Sequence, residues 1–153
     1  MPFRSHMDIA LAEARAAAAR GEVPVGAVLI SPAGQVVARA GNRTREWSDP
    51  TAHAEVLVIR EACAAAGSER LNGHDLYVTL EPCAMCAAAI AAARIRRVYY
   101  GASDPKSGGV AHGACVFSHP QAHHAPEVYE GIRAEPAETL LKAFFAARRS
   151  ADG

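Results

Sequence analysis

Two cysteines three positions apart, Cys83 and Cys86, and a histidine followed two residues later by a glutamate, His53 and Glu55, are the residues whose types and spacing carry chemistry. The cysteines fall at the start of a predicted helix, so their sulfurs project from one face of its first turn and can share one ion. The unpaired N–H groups and dipole of a helix N-terminus favour the thiolate form of both. A lone C-x-x-C is also the pattern of a redox pair or of half a zinc ribbon, but a ribbon needs four protein ligands. Cys63 and Cys115 form no second C-x-x-C and suit small buried core positions. His53 opens another predicted helix, after the turn Asp49-Pro50, and supplies the third ligand. Three protein ligands leave a fourth position for water, the catalytic arrangement. Zinc held in that way brings the pKa of its water from about 15.7 to about 7, so hydroxide exists at neutral pH. Glu55 stands where it reaches that water without ligating the metal, which makes it the candidate general acid and base. Taken singly, His53 is a capping histidine and Glu55 a solvated helix glutamate. The pattern, not either residue, points to catalysis.

The elements that must position these groups follow from periodicity. Ile9, Leu11, Ala12 and the alanines up to Ala19 predict a first helix, with Ser5 as cap and Gly21 as stop. Residues 25–30 and 35–40 are β-prone runs joined by Ser31-Pro32-Ala33-Gly34, hence an antiparallel pair. A helix over 52–66 ends at Gly67. A strand over 76–80, an alanine-rich helix over 83–93 and a strand over 97–100 predict a parallel pair with a right-handed crossover. Residues 103–113 form a surface loop. A helix over 137–149 closes the chain with Leu140, Leu141, Phe144 and Phe145 on its apolar face, one of the two phenylalanines being expected in the core. The whole is an α/β sandwich.

At 153 residues the expectation is a single domain, 1–153, burying roughly 70% of its unfolded surface. Half the residues are hydrophobic and about a fifth charged, which excludes a disordered or membrane-spanning chain. The sixteen basic and sixteen acidic residues cancel, so any polyanion site must be local. The first twenty residues are broken by Arg4, His6, Asp8, Glu13 and Arg15 and lack the apolar stretch of a signal peptide. With metal-type cysteine spacing, this points to a reducing cytoplasm.

His53-Ala54-Glu55 followed by Pro82-Cys83-Ala84-Met85-Cys86 matches the H-x-E and P-C-x-x-C signature of zinc nucleobase deaminases. The match runs on through Glu22-Val23-Pro24-Val25-Gly26, Gly41-Asn42-Arg43, Asp104-Pro105-Lys106-Ser107-Gly108 and the tail Phe144-Phe145 with Arg148-Arg149. On these residues the chain resembles the cytidine deaminase superfamily, and within it the bacterial tRNA adenosine deaminases that make inosine at the anticodon wobble position. That resemblance implies a cytidine deaminase-like three-layer α/β/α sandwich with a mixed five-stranded sheet. It implies one zinc ion per subunit and no organic cofactor, a homodimer, no membrane association, and a tRNA anticodon stem-loop as partner whose extruded adenine is attacked at C6. Asn42 matches the position that contacts the flipped nucleoside, although alone it would be a turn asparagine. Ala54 would offer its backbone N–H to the base. Asp104 and Lys106 fall in the loop that touches RNA beside the target, where the bland reading is solvated loop charge. Phe145, Arg148 and Arg149 match the helix that shapes the RNA site. Glu81 is expected to be structural, Arg94, Arg96 and Arg97 to be either a phosphate patch or ordinary surface arginines, and His119, His123 and His124 to lack the partners for a second metal. The alternative is a deaminase of a free nucleobase or nucleoside using the same zinc, because pocket shape beyond the base decides between them.

Overall fold

In the computed structural model, which describes residues 5–152, the chain runs α1 (Met7–Ala19), β1 (Gly26–Ile30), β2 (Val36–Gly41), α2 (Ala54–Ala66), β3 (Asp75–Leu80), α3 (Ala84–Ala92), β4 (Arg97–Ala102), β5 (Glu127–Tyr129) and α4 (Ala134–Asp152). Residues 1–4 and 153, the two ends of the expected 1–153 domain, lie outside the described residues. The strands form one sheet in the order β2-β1-β3-β4-β5. β1 is antiparallel to both β2 and β3, whereas β3, β4 and β5 are parallel. The sheet is therefore mixed, as expected.

Successive side chains of a strand point to opposite faces, and here both faces are apolar because each is covered by helices. Ala27 and Leu29 of β1, Leu76 and Val78 of β3, and Val98 and Tyr100 of β4 meet Ala54, Val58 and Ala62 of α2 and Ile90 of α3. Their neighbours Val28, Ile30, Tyr77 and Tyr99 meet Met7, Ala10 and Leu11 of α1 and Ala137 of α4 on the other face. The result is a three-layer α/β/α sandwich. At Gly26 a Cβ would overlap the Ala10 carbonyl, so the close seat of α1 on β1 requires glycine there. Gly67, with φ +63°, ends α2 in the left-handed region.

Some expectations shift. His53 and Cys83 do not lie inside their helices but are the N-cap residues, with helix proper beginning at Ala54 and Ala84. The closing helix begins at Ala134, earlier than 137. Neither phenylalanine reaches the core: Phe144 is half-buried, and Phe145 is exposed. Cys63 and Cys115 are only partly buried. Arg96 and Arg97 form no open phosphate patch, since Arg96 binds both oxygens of Asp75 at 3.1 and 3.0 Å and Arg97 binds Glu127 at 3.0 Å.

Candidate active site and metal centre

The N-terminus of α2 is built by residues outside it. Asp49 Oδ1 accepts from the Thr51 N–H at 2.8 Å and from its hydroxyl at 2.7 Å, fixing the turn before the helix. His53 occupies the N-cap in extended conformation without capping by its own side chain. Asn42, reaching in from the end of β2, accepts the Ala54 N–H at 2.9 Å instead. That substitution leaves the imidazole free to face the sulfurs. The N-terminus of α3 follows β3 through Glu81-Pro82, which puts Cys83 and Cys86 at the carboxyl end of a parallel strand, where open α/β sheets place their sites.

His53 Nδ1 lies 3.7 Å from Cys83 Sγ and 3.4 Å from Cys86 Sγ, and the three donor atoms all fall within 4.8 Å of one another. Tetrahedral zinc with its usual Zn–S and Zn–N bonds sets donors about 3.6 Å apart, so the spacing fits without rearrangement. Charge points the same way. The Cys86 thiol donates to Cys83, holding its pKa down at about 4, with His53 assisting against the cost of burial. Cys86 is pushed far above the usual thiol range, because it gives its hydrogen bond to Cys83 and is itself buried. His53 is raised, first by its hydrogen bond to Cys83. A divalent cation at this donor set would stabilise both thiolates at once. Among the described residues this is the one group of three or more such side chains spaced to hold a metal, so His119, His123 and His124 form no second centre. His124 donates instead to the Ile95 carbonyl at 2.7 Å.

Glu55 is 3% exposed, and its Oε1 has no hydrogen-bond partner. A buried carboxylate oxygen without a partner is costly, and Glu55 lines a cavity together with His53 and Cys83. Desolvation raises its pKa to about 7, against the opposing hydrogen bond of its own backbone and the charge of His53. A cation bound beside it would pull that value down. His53, Glu55 and Cys83 line a cavity of about 220 Å³ with Val23, Asn42 and Thr44 in its wall. Leu80, Val23, Asp104 and Ser107 also line a wider groove of about 680 Å³, so the two spaces join. The groove adds Lys106, Lys142, Phe145 and Arg149.

The loop over this junction hangs on Glu81. Its buried carboxylate accepts from the N–H groups of Asp104, Val110, Ala111 and His112 at 3.0–3.2 Å, and from the His112 ring at 2.7 Å. Burial raises its pKa, but the donors from Asp104, His112, Ala111 and Val110 together outweigh that and hold the carboxyl below the ordinary value. A Cβ on Gly108 would overlap this carboxylate, and one on Gly109 would overlap the Ala84 backbone.

The sequence-predicted residues are thus largely gathered. His53, Cys83, Glu55 and Asn42 line the cavity, with the buried Cys86 sulfur beside His53, and Asp104, Lys106, Phe145 and Arg149 line the groove. Ala54 departs from expectation, for its N–H is engaged by Asn42 Oδ1. Asp104 Oδ1 likewise accepts the Ser107 N–H at 3.0 Å, shaping its own loop. Sequence reasoning missed Thr44 and Lys142, which carry no motif; only the helical spacing of Lys142 with Phe145 and Arg149 signalled it.

Residues 3–102 match the zinc-binding region of cytidine and deoxycytidylate deaminases. The chain belongs to this deaminase family. Its membership makes it a zinc-dependent hydrolytic enzyme, and the His53, Cys83 and Cys86 cluster fits one zinc ion per subunit. Among proteins similar to this deaminase is the tRNA-specific adenosine deaminase of Agrobacterium fabrum, 59% identical over 153 residues, covering 99% of this chain and 100% of that one. A solved structure from work on A-to-I editing by tRNA:A34 deaminases at the wobble position superposes with a TM-score of 0.88 at 60% identity, over 90% of this chain and 100% of that chain. A guanine deaminase from Bacillus subtilis is more distant, with a TM-score of 0.66 and 30% identity over 97% of this chain and 95% of that one. Among the described residues no helix is long and apolar enough to cross a membrane.

Proposed function

We propose that this deaminase converts adenosine to inosine at the wobble position of tRNA, with His53, Cys83 and Cys86 as the zinc ligands and Glu55 as the group that moves the protons. The observation that carries this reading is the junction of a base-sized cavity with a groove bearing Lys106, Lys142, Arg149 and an exposed Phe145. A free nucleobase needs the cavity alone. Basic groups beside an exposed aromatic ring are what an unpaired RNA strand needs, phosphates on the cations and a base on the ring. The high identity to a tRNA-specific adenosine deaminase over both full chains supports the same substrate.

Zinc at the donor set supplies a Lewis acid that brings the pKa of water at its open position to about 7. Glu55 Oε1 takes a proton from water and returns it to the departing amine, so adenine and water give the inosine base and ammonia with the carboxylate restored. Burial raises the Glu55 carboxyl to about 7, and a cation beside it would lower it again, so the two influences oppose each other at the group that gives and takes the proton. Asn42, with Oδ1 held by Ala54, keeps its amide N–H donors for the nucleoside. Asp104 shapes the loop beside the base, while Lys106 and Arg149 meet phosphates. An anticodon loop suits such a site because its bases are already unpaired, which lowers the cost of extrusion.

The proposal includes a homodimer, which the exposed alanines Ala88 and Ala92 beside an apolar cleft of about 280 Å³ support. It includes one functional unit over 1–153 and cytoplasmic residence beside tRNA. The likeness to a guanine deaminase keeps one alternative, a free base as substrate. Zinc-loaded protein given an anticodon stem-loop with wobble adenosine, and separately adenosine, guanine and cytosine, separates them by the inosine and ammonia released. Inosine in the RNA alone is expected. Turnover of a free base alone would leave the zinc chemistry standing and replace the substrate.

A further inference from the structure

A second cavity, of about 560 Å³, lies next to the catalytic one, lined by three arginines, Arg20, Arg45 and Arg148, and two glutamates, Glu22 and Glu46. Neighbouring residues tie it to the site: Thr44 lines the catalytic cavity and Arg45 this one, and Arg149 lines the basic groove while Arg148 turns here. Arg20 donates to the Asn42 carbonyl at 2.9 Å, which joins this cluster to the cavity wall. The loop carrying Arg45 is held rigidly. Glu22, 1% exposed, accepts the N–H groups of Arg45 and Glu46 at 3.1 and 2.8 Å, so a buried carboxylate fixes the backbone and is itself satisfied. Arg148 is fixed as well, donating to the Gly21 carbonyl at 2.8 Å and lying 4.9 Å from the Phe144 ring. Glu46 is already paired with Arg43 and lies 3.9 Å from Arg20. The side chain of Arg45, by contrast, is exposed and has no partner among the described residues. Two residues on, Trp47 is 52% exposed with the Arg43 guanidinium 5.6 Å from its ring centre.

A buried acid that locks a loop, an unpaired guanidinium on that loop and a half-exposed indole two residues on have no use in the metal chemistry. In a chain of zero net charge they mark a local surface for a polyanion bearing flat rings. We infer that Arg20, Arg45, Arg148 and Trp47 form a second single-stranded RNA contact. It takes the phosphodiester and base of the nucleotide neighbouring the extruded one, across the catalytic cavity from the Lys106 and Arg149 groove. The phosphate sits between Arg45 and Arg148, and the neighbouring base stacks on Trp47. The strand then enters by one cavity and leaves by the other, with the target nucleotide turned down between them. This rests on the RNA reading given above.

The test is the binding of an anticodon stem-loop with wobble adenosine to the zinc-loaded full chain, in a Glu55→Gln background that stops turnover, at about 50 and about 200 mM salt. Arg45→Gln should weaken binding about three- to tenfold and lessen the slope of log affinity against log salt by about 0.7, the loss of one single-strand phosphate contact. Trp47→Ala should weaken it about tenfold with the slope unchanged, the signature of lost stacking. Arg45→Lys should restore the slope. Arg70→Gln, which removes a charge elsewhere, should bind as the parent does. Zinc content and melting temperature equal to the parent's separate loss of contact from loss of fold. If the parent binds RNA and both Arg45→Gln and Trp47→Ala match Arg70→Gln, this contact is overturned and the wobble reading stands. If the parent binds no RNA, both fall together.

Discussion

Glu55 combines two properties that pull against each other, full burial and an oxygen with no protein partner, and the proposed role at the reacting atoms accounts for both. Glu55→Gln keeps the volume and removes the proton, so it should lower turnover at least about a hundredfold while zinc stays bound, read by steady-state kinetics with metal analysis. Full activity in that variant would remove Glu55 from the mechanism. Cys86→Ser should act differently, losing zinc as well as activity, because a hydroxyl does not replace a buried thiolate as ligand. The grouping of His53, Cys83 and Cys86 was legible in the sequence because metal donors have few substitutes and their spacing is short. The backbone of Ala54 was not. Its N–H goes to Asn42, and nothing in the order His53-Ala54-Glu55 shows that a residue twelve positions earlier caps the helix.

Among the elements, the loop from β4 to β5 owes its shape to one carboxylate. Glu81, itself 2% exposed, gathers four backbone N–H groups and a ring nitrogen, so Glu81→Ala would remove the acceptor of several part-buried donors at once. Each stranded donor costs about 1–3 kcal/mol, and the expected result is a lower midpoint in denaturant and faster amide exchange at Val110, Ala111 and His112. Unchanged exchange there would mean that the loop is held by other contacts. The sequence showed the glycine-rich loop but not what organises it, since an acid at a strand end has no signature of its own. β5 escaped the residue-by-residue reading for a related reason. Glu127–Tyr129 is a three-residue strand exposed throughout, so it carries no hydrophobic alternation, and only its pairing with β4 defines it. β1, β3 and β4 were legible because both faces of the sheet are buried there and their central residues are mostly apolar, whereas the half-exposed β2 was legible from its β-prone run after a turn.

For the molecule as a whole, zero net charge with a basic, aromatic-edged groove means that attraction for RNA is short-ranged and depends on particular side chains. Lys106→Gln or Arg149→Gln should each raise KM for the stem-loop several-fold and flatten its salt dependence, whereas Lys142→Gln tests the cation that no motif announced. The sandwich was foreseeable from the order of strand and helix signals; the groove was not, because it joins a loop after β4 to the last helix, and no local pattern relates segments so far apart. Removal of zinc should stop turnover and lower the melting temperature, since an ion that binds the folded state alone stabilises it by mass action. The most direct test of the whole reading is incubation of zinc-loaded protein with a complete tRNA carrying a wobble adenosine, followed by mapping of inosine along the chain. Inosine at the wobble position alone, and none with Glu55→Gln, is the expected outcome; inosine scattered over other unpaired adenosines, or none while free guanine is consumed, would contradict it.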